Sequence, residues 1–116
     1  MEYEFKKKTD YNCRLAGSTN IKNKYPDRVP IIVERYRDAN LPNIDKSKYL
    51  VPKDMTLGQF IYVIRKRIKL DSNQALFVTI NGILEGSSTI ISNLYDTHKD
   101  DGGFLYILYT SENTFG

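Results

Sequence analysis

Apolar positions along this chain come in short, separated bursts, and the spacing inside each burst decides which element it predicts. The run Val29-Pro30-Ile31-Ile32-Val33-Glu34-Arg35-Tyr36 is short, apolar and β-branched, which suits a buried strand. Asp38-Ala39-Asn40-Leu41-Pro42 closes it as a loop. Lys48-Tyr49-Leu50-Val51 reads as a second strand stopped by Pro52, a residue that sheets tolerate at ends and edges, so this strand is a candidate edge. Alternation places Lys48 with Leu50 on one face and Tyr49 with Val51 on the other.

The clearest helix starts at Thr56, where Thr56-Leu57-Gly58-Gln59 fits a capping box. At about 100° per residue, Leu57, Ile61, Ile64 and Ile68 form one stripe and Phe60, Val63 and Arg67 an adjacent one. The first stripe is expected in the core, and the second is covered either by the rest of the chain or by a partner; periodicity alone leaves both open. Ala75-Leu76-Phe77-Val78-Thr79-Ile80 reads as a strand ended by the turn dipeptide Asn81-Gly82. Ser88 to His98 supports a short helix, broken by Asp100-Asp101-Gly102-Gly103. Phe104 to Thr110 is apolar at nearly every position, as a central strand would be. Residues 1–25 are polar, and Gly17-Ser18-Thr19-Asn20 interrupts any helical pattern there, which predicts a loosely attached segment with one or two short helices. This order is compatible with a β-grasp sheet, whose last strand lies beside the first, although pattern alone does not fix that topology.

Composition changes the picture mainly by exclusion. With 116 residues, 41% hydrophobic and 27% charged, the chain is sized for one domain with one core. Its longest apolar run, Phe104 to Tyr109, is far too short for a membrane span, and the basic N-terminus is not followed by an apolar stretch, so a cytosolic, reducing compartment is expected. Cys13 and His98 are the only residues of their kinds; they cannot build a zinc site alone, and no metal or cofactor is expected. A net charge of +3 is too small to argue for nucleic acid. The basic clusters at Lys6 to Lys8, Lys46 with Lys48, and Arg65-Lys66-Arg67 are first read as solvated faces, with an acidic peptide or anionic membrane as the alternative partner. An enzyme would have to use Cys13 as nucleophile and His98 as base, yet nothing places them together, so no catalytic residue is assigned. The polar tail Ser111-Glu112-Asn113-Thr114-Phe115-Gly116 ends on a glycine carboxylate free of a Cβ, the form a conjugating enzyme can thread through a narrow site.

Tyr25-Pro26-Asp27-Arg28-Val29-Pro30, Ile44 to Pro52, and Thr56 to Ile68 closely resemble the ubiquitin-like autophagy modifiers. His98-Lys99-Asp100, Gly103 to Tyr106, and Glu112 to Gly116 resemble them as well. The resemblance runs from about Tyr25 to Gly116. It implies an α+β fold, a ubiquitin-like β-grasp with a mixed four-stranded sheet and an N-terminal helical extension. Residues 1–25 would be the helical segment, 26–110 the β-grasp domain and 111–116 the conjugation tail. It further implies a substrate of activating and conjugating enzymes that join Gly116 to phosphatidylethanolamine, with Asn113 and Phe115 guiding the tail, and of a deconjugating cysteine protease. The protein would then be cytoplasmic, and on autophagosome or other organelle membranes once lipidated. The second implied activity is binding of cargo receptors and adaptors through aromatic-x-x-aliphatic peptides, added to the edge strand by β-augmentation. Ile21, Pro30, Ile32, Lys48, Leu50 and Phe104 would line the aromatic pocket. Tyr49, Val51, Pro52, Met55, Phe60, Val63 and Ile64 would line the aliphatic one, and Lys46, Lys48 and Arg67 would meet flanking acidic residues. The chain departs from the family pattern at Gly17, where an acidic residue is common, and at Asn81 to Gly86, which lacks the usual proline-containing stretch.

Overall fold

The computed structural model describes residues 3–111. The β-branched run forms β1 (Arg28–Arg35), with Val29 to Val33 buried. The edge candidate forms β2 (Lys48–Pro52), which pairs antiparallel with β1 in the register Val29 opposite Val51 and Ile31 opposite Tyr49. β3 (Phe77–Thr79) is shorter than the apolar run that predicts it. The last strand, β4 (Leu105–Thr110), is buried at every position. It pairs parallel with β1 and antiparallel with β3, giving the order β2-β1-β4-β3. β2 and β3 are therefore the two edges.

Because side chains alternate along a strand, the sheet divides its apolar residues between two faces. Ile31, Val33, Leu105, Ile107 and Tyr109 join one cluster with Leu57, Phe60, Ile64, Ile91 and Leu94. The helices α3 (Leu57–Arg67) and α4 (Ile91–His98) supply that layer. α3 begins as its sequence predicts: Thr56 Oγ1 accepts from the Gln59 N–H at 3.2 Å, and Gln59 Oε1 accepts from the Thr56 N–H at 2.9 Å. The stripe assignment needs one correction. Phe60 is 1% exposed and belongs to the core, edge-on to Tyr49 with ring centroids 5.6 Å apart, whereas Ile61 is only half-buried. The wider Phe60 ring takes the space facing β2; a buried aromatic of this size contributes about 2–3 kcal/mol.

The opposite face carries a smaller cluster, Ile32, Phe104 and Tyr106, with Tyr3, Phe5 and Ile21 against it. Two helices cover it: α1 (Glu4–Lys8) and α2 (Tyr11–Lys24). Here the expectation of an interrupted segment fails, because α2 runs through Gly17-Ser18-Thr19-Asn20 without a break. Tertiary contact overrides the weak local propensity. Asp10 caps the helix by accepting from the Cys13 N–H at 2.8 Å, and the buried Ser18 hydroxyl donates to the Gly102 carbonyl at 2.7 Å. The Glu34 carboxylate accepts from both the Glu4 and Phe5 N–H groups at 2.9 Å, which ties the start of α1 to β1.

Tyr95 and Tyr109 anchor loops through hydroxyls that donate to the Gly103 and Pro42 carbonyls, each at 2.6 Å. Burial is the main reason both phenols are pushed up to about 12, helped at Tyr95 by Asp96 and Asp100 and opposed at Tyr109 by Arg35. A folded-state value above the unfolded one, about 10, means this stability is complete below pH 10 and is lost as pH rises toward 12. Phenolate absorbance in an alkaline titration should therefore show these two tyrosines ionising only with cooperative unfolding. Smooth titration of all nine tyrosines near pH 10 in a folded protein would refute this.

Candidate functional site

The β1–β2 register does most of the work of assembling the predicted site. Pro30 lies opposite Leu50 and Ile32 opposite Lys48, so these four share a sheet face. Ile32 and Phe104 form the buried floor of that face, and Ile21 packs on it from α2. On the other face, Tyr49, Val51, Phe60 and Ile64 lie in the main core, with Met55 and Val63 half-buried against them. Pro52 ends the strand, half-exposed. Phe60 and Ile64 have almost no accessible surface, so they can only be the floor of an aliphatic pocket whose walls move apart.

Charge surrounds this edge. Lys46 Nζ lies 5.3 Å from the centre of the Tyr49 ring, and Lys48 is exposed. Arg67, expected to meet acidic peptide residues, already holds Asp45 at 2.9 Å, so an incoming carboxylate would have to compete with it. The Tyr49 hydroxyl is buried and has no hydrogen-bond partner among the described residues; burial is the largest of the effects that push it above its ordinary range. A broad cavity of about 850 Å³ runs from α1 past the end of β1, with Lys7, Lys8, Arg35 and Arg37 set against Glu4, Glu34 and Asp38. Its charge is mixed and selects no particular ligand.

The sequence pattern misses Phe5. Its ring lies edge-on to Phe104 at 5.0 Å, and Lys48 Nζ sits 5.8 Å from its centre, so Phe5 touches two of the six residues expected around the aromatic pocket. The available signal is Tyr3-x-Phe5, the aromatic pair in an otherwise charged stretch. Tyr3 stacks on Tyr106 at 4.5 Å, and Lys6 bridges to Asp100 at 3.2 Å.

Cys13 and His98 do not form a catalytic arrangement. The exposed Cys13 thiol is pushed up by its hydrogen bond to Asp10, the opposite of activation, and His98 lies beside Asn81 at 3.2 Å and Glu85 at 3.8 Å. Asn113, Phe115 and Gly116 fall outside the described residues.

A mixed sheet of order β2-β1-β4-β3, two helices on one face and an N-terminal helical pair on the other define a ubiquitin-like β-grasp domain with a helical extension. The family model described as the ubiquitin-like autophagy protein Atg8 matches residues 13–116. The chain belongs to that family. It is similar to Autophagy-related protein 8 of Lodderomyces elongisporus, at 51% identity over the whole chain and 80% of that relative. It is equally similar to Autophagy-related protein 8e of Arabidopsis thaliana, at 51% identity over 97% of the chain and 92% of the relative. The crystal structure of ATG8 from Trypanosoma brucei superposes with a TM-score of 0.93 at 37% identity, covering all of both chains. The protein is thus an autophagy-related ubiquitin-like modifier.

Proposed function

We propose that this modifier is joined through the Gly116 carboxylate to phosphatidylethanolamine, and that it recruits cargo receptors and adaptors by laying their aromatic-x-x-aliphatic segments along β2. One observation carries the peptide reading: among the described residues β2 pairs with β1 alone, leaving an edge flanked by an apolar floor on each face and lysines at its start. An extended peptide adds a strand there, and its alternate side chains reach the two faces. The family membership and the resemblance of Asn113-Thr114-Phe115-Gly116 to the family's conjugation segment support the conjugation reading. The chain is then substrate rather than catalyst: an activating enzyme adenylates Gly116 and holds it as a thioester, a conjugating enzyme passes it to the lipid amine, and a cysteine protease reverses the bond. No helix of the described residues is long and apolar enough to cross a membrane, so the attached lipid would supply the anchor for a protein otherwise free in the cytoplasm. It would gather on autophagosomes or another organelle membrane.

Intact-mass measurement tests this directly. With matching activating and conjugating enzymes, ATP and phosphatidylethanolamine vesicles, the chain should gain the mass of one lipid. A chain that forms the enzyme thioester yet never gains the lipid would overturn the conjugation reading.

A further inference from the structure

Beyond β2 the structure holds a second feature that the edge does not use. A cavity of about 320 Å³ opens between the end of α2, the start of β1, the turn after β2, and α4. Lys22, Arg28, Lys53 and Lys99 line it against a single carboxylate, Asp96. Among the described residues none of these five is in an ion pair. Lys22 and Lys99 instead converge on one ring, their Nζ atoms 5.4 and 5.3 Å from the centre of Tyr95. Two ammonium groups drawn to the same neutral ring, with no anion bridging them, leave a positive field directed into the cavity.

The frame holding these cations is fixed. The Lys53 N–H donates to the Asp27 carbonyl at 3.1 Å, and its own carbonyl accepts from the Ser92 N–H at 3.1 Å, which locks the turn between β1 and α4. Arg28 Nη1 donates to the Leu50 carbonyl at 3.1 Å, so the guanidinium lies along β2 itself. The Tyr95 hydroxyl is secured on Gly103.

We infer that this groove binds a phosphoserine or phosphothreonine in the segment that follows the aliphatic residue of a bound peptide. The inference rests on the edge-binding reading and extends it. The aromatic pocket lies near Lys48 and the aliphatic one near Pro52, so the peptide advances toward Lys53, the next residue of this chain and a wall of the groove. A phosphate carries close to two charges and three acceptor oxygens, matching several unpaired cations better than one carboxylate does. Continuity with β2 favours a peptide over a membrane headgroup, because Arg28, one of the four cations, is hydrogen-bonded to the Leu50 carbonyl of that edge strand.

Peptide titrations followed by fluorescence anisotropy test it. The probes are an unphosphorylated aromatic-x-x-aliphatic peptide, forms with phosphoserine stepped through the positions after the aliphatic residue, and a form with phosphoserine before the aromatic one. At low salt one of the stepped peptides should bind about tenfold tighter than the plain peptide. That gain should fall as salt is raised, and it should vanish in Lys53→Ala/Lys99→Ala. The peptide phosphorylated ahead of its aromatic residue should be insensitive to these two substitutions. If the plain peptide binds but no downstream phosphate helps, the groove assignment is wrong while edge binding stands. If the plain peptide itself does not bind, edge binding is what fails. Lys53/Lys99-dependent binding to phosphatidylcholine vesicles doped with a phosphoinositide, without any phosphopeptide gain, would replace the inference with a lipid site.

Discussion

Gly116→Ala is expected to lower the yield of lipid-conjugated protein by at least about a hundredfold, a loss of the size that misplacing a reacting group produces. Two successive enzymes must present this carboxylate to a nucleophile, first as an adenylate and then as a thioester. A Cβ beside the reacting carbon crowds each approach in a way that no adjustment elsewhere relieves. The substitution changes none of the residues of the described elements, and an unchanged unfolding midpoint is the expected control that the loss is one of conjugation and not of folding. Intact mass reads the product, and the wild-type chain supplies the positive control. A Gly116→Ala protein that gains no lipid but still moves to membranes would favour an unconjugated peptide-binding adaptor.

Gly103→Ala should carry the largest stability loss of any glycine-to-alanine change among the described residues, about 3–4 kcal/mol from two sources. The residue has a φ of +89°, where a side chain is strained by about 1–2 kcal/mol. Its new Cβ would also overlap the Ser18 hydroxyl and lie 2.8 Å from the Ser18 Cβ, with α2 immediately behind. Urea denaturation measures the sum. Ser18→Gly removes the clash but not the strained dihedral, and by itself costs about 0.5–1 kcal/mol for the new helix glycine and about 1 kcal/mol for the bond to the Gly102 carbonyl, so Gly103→Ala should cost about 2 kcal/mol less in the Ser18→Gly background than in the wild type. An equal cost of Gly103→Ala in both backgrounds would show that the clash contributes nothing.

Local chemistry made part of this fold legible. The Thr56 and Gln59 side chains name a helix start because the reciprocal bonds they form lie within one turn. Asn81-Gly82 names a hairpin because both residues tolerate positive φ, here 53° and 78°, and Ile80 and Ile83 exchange hydrogen bonds across it at 2.9 and 3.0 Å. What depended on distant contact was not legible. α2 stays helical across Gly17 because Ser18 reaches Gly102, and no local pattern contains that partner. The parallel pairing of β1 with β4 likewise came from family resemblance, since alternation says which face a residue takes and not which strand lies beside it. The same limit applies to the site. The alternation of Lys48 to Val51 could be read directly, whereas the groove proposed for a phosphate draws its four cations one each from four separated segments.

The position of β4 at the end of the described elements carries a kinetic consequence. β1 and β2 are close enough in sequence to form a hairpin soon after both are synthesised, but the other side of β1 has no partner until Leu105 to Thr110 exists. On a ribosome, β1 must therefore wait with one side unpaired until β4 has cleared the exit tunnel. Until then β1 presents an open apolar edge, the kind of surface that chaperones shield and that aggregates by strand pairing. The sheet therefore closes only when its last described strand is available, and a chain cut short before Leu105 would keep the edge of β1 open.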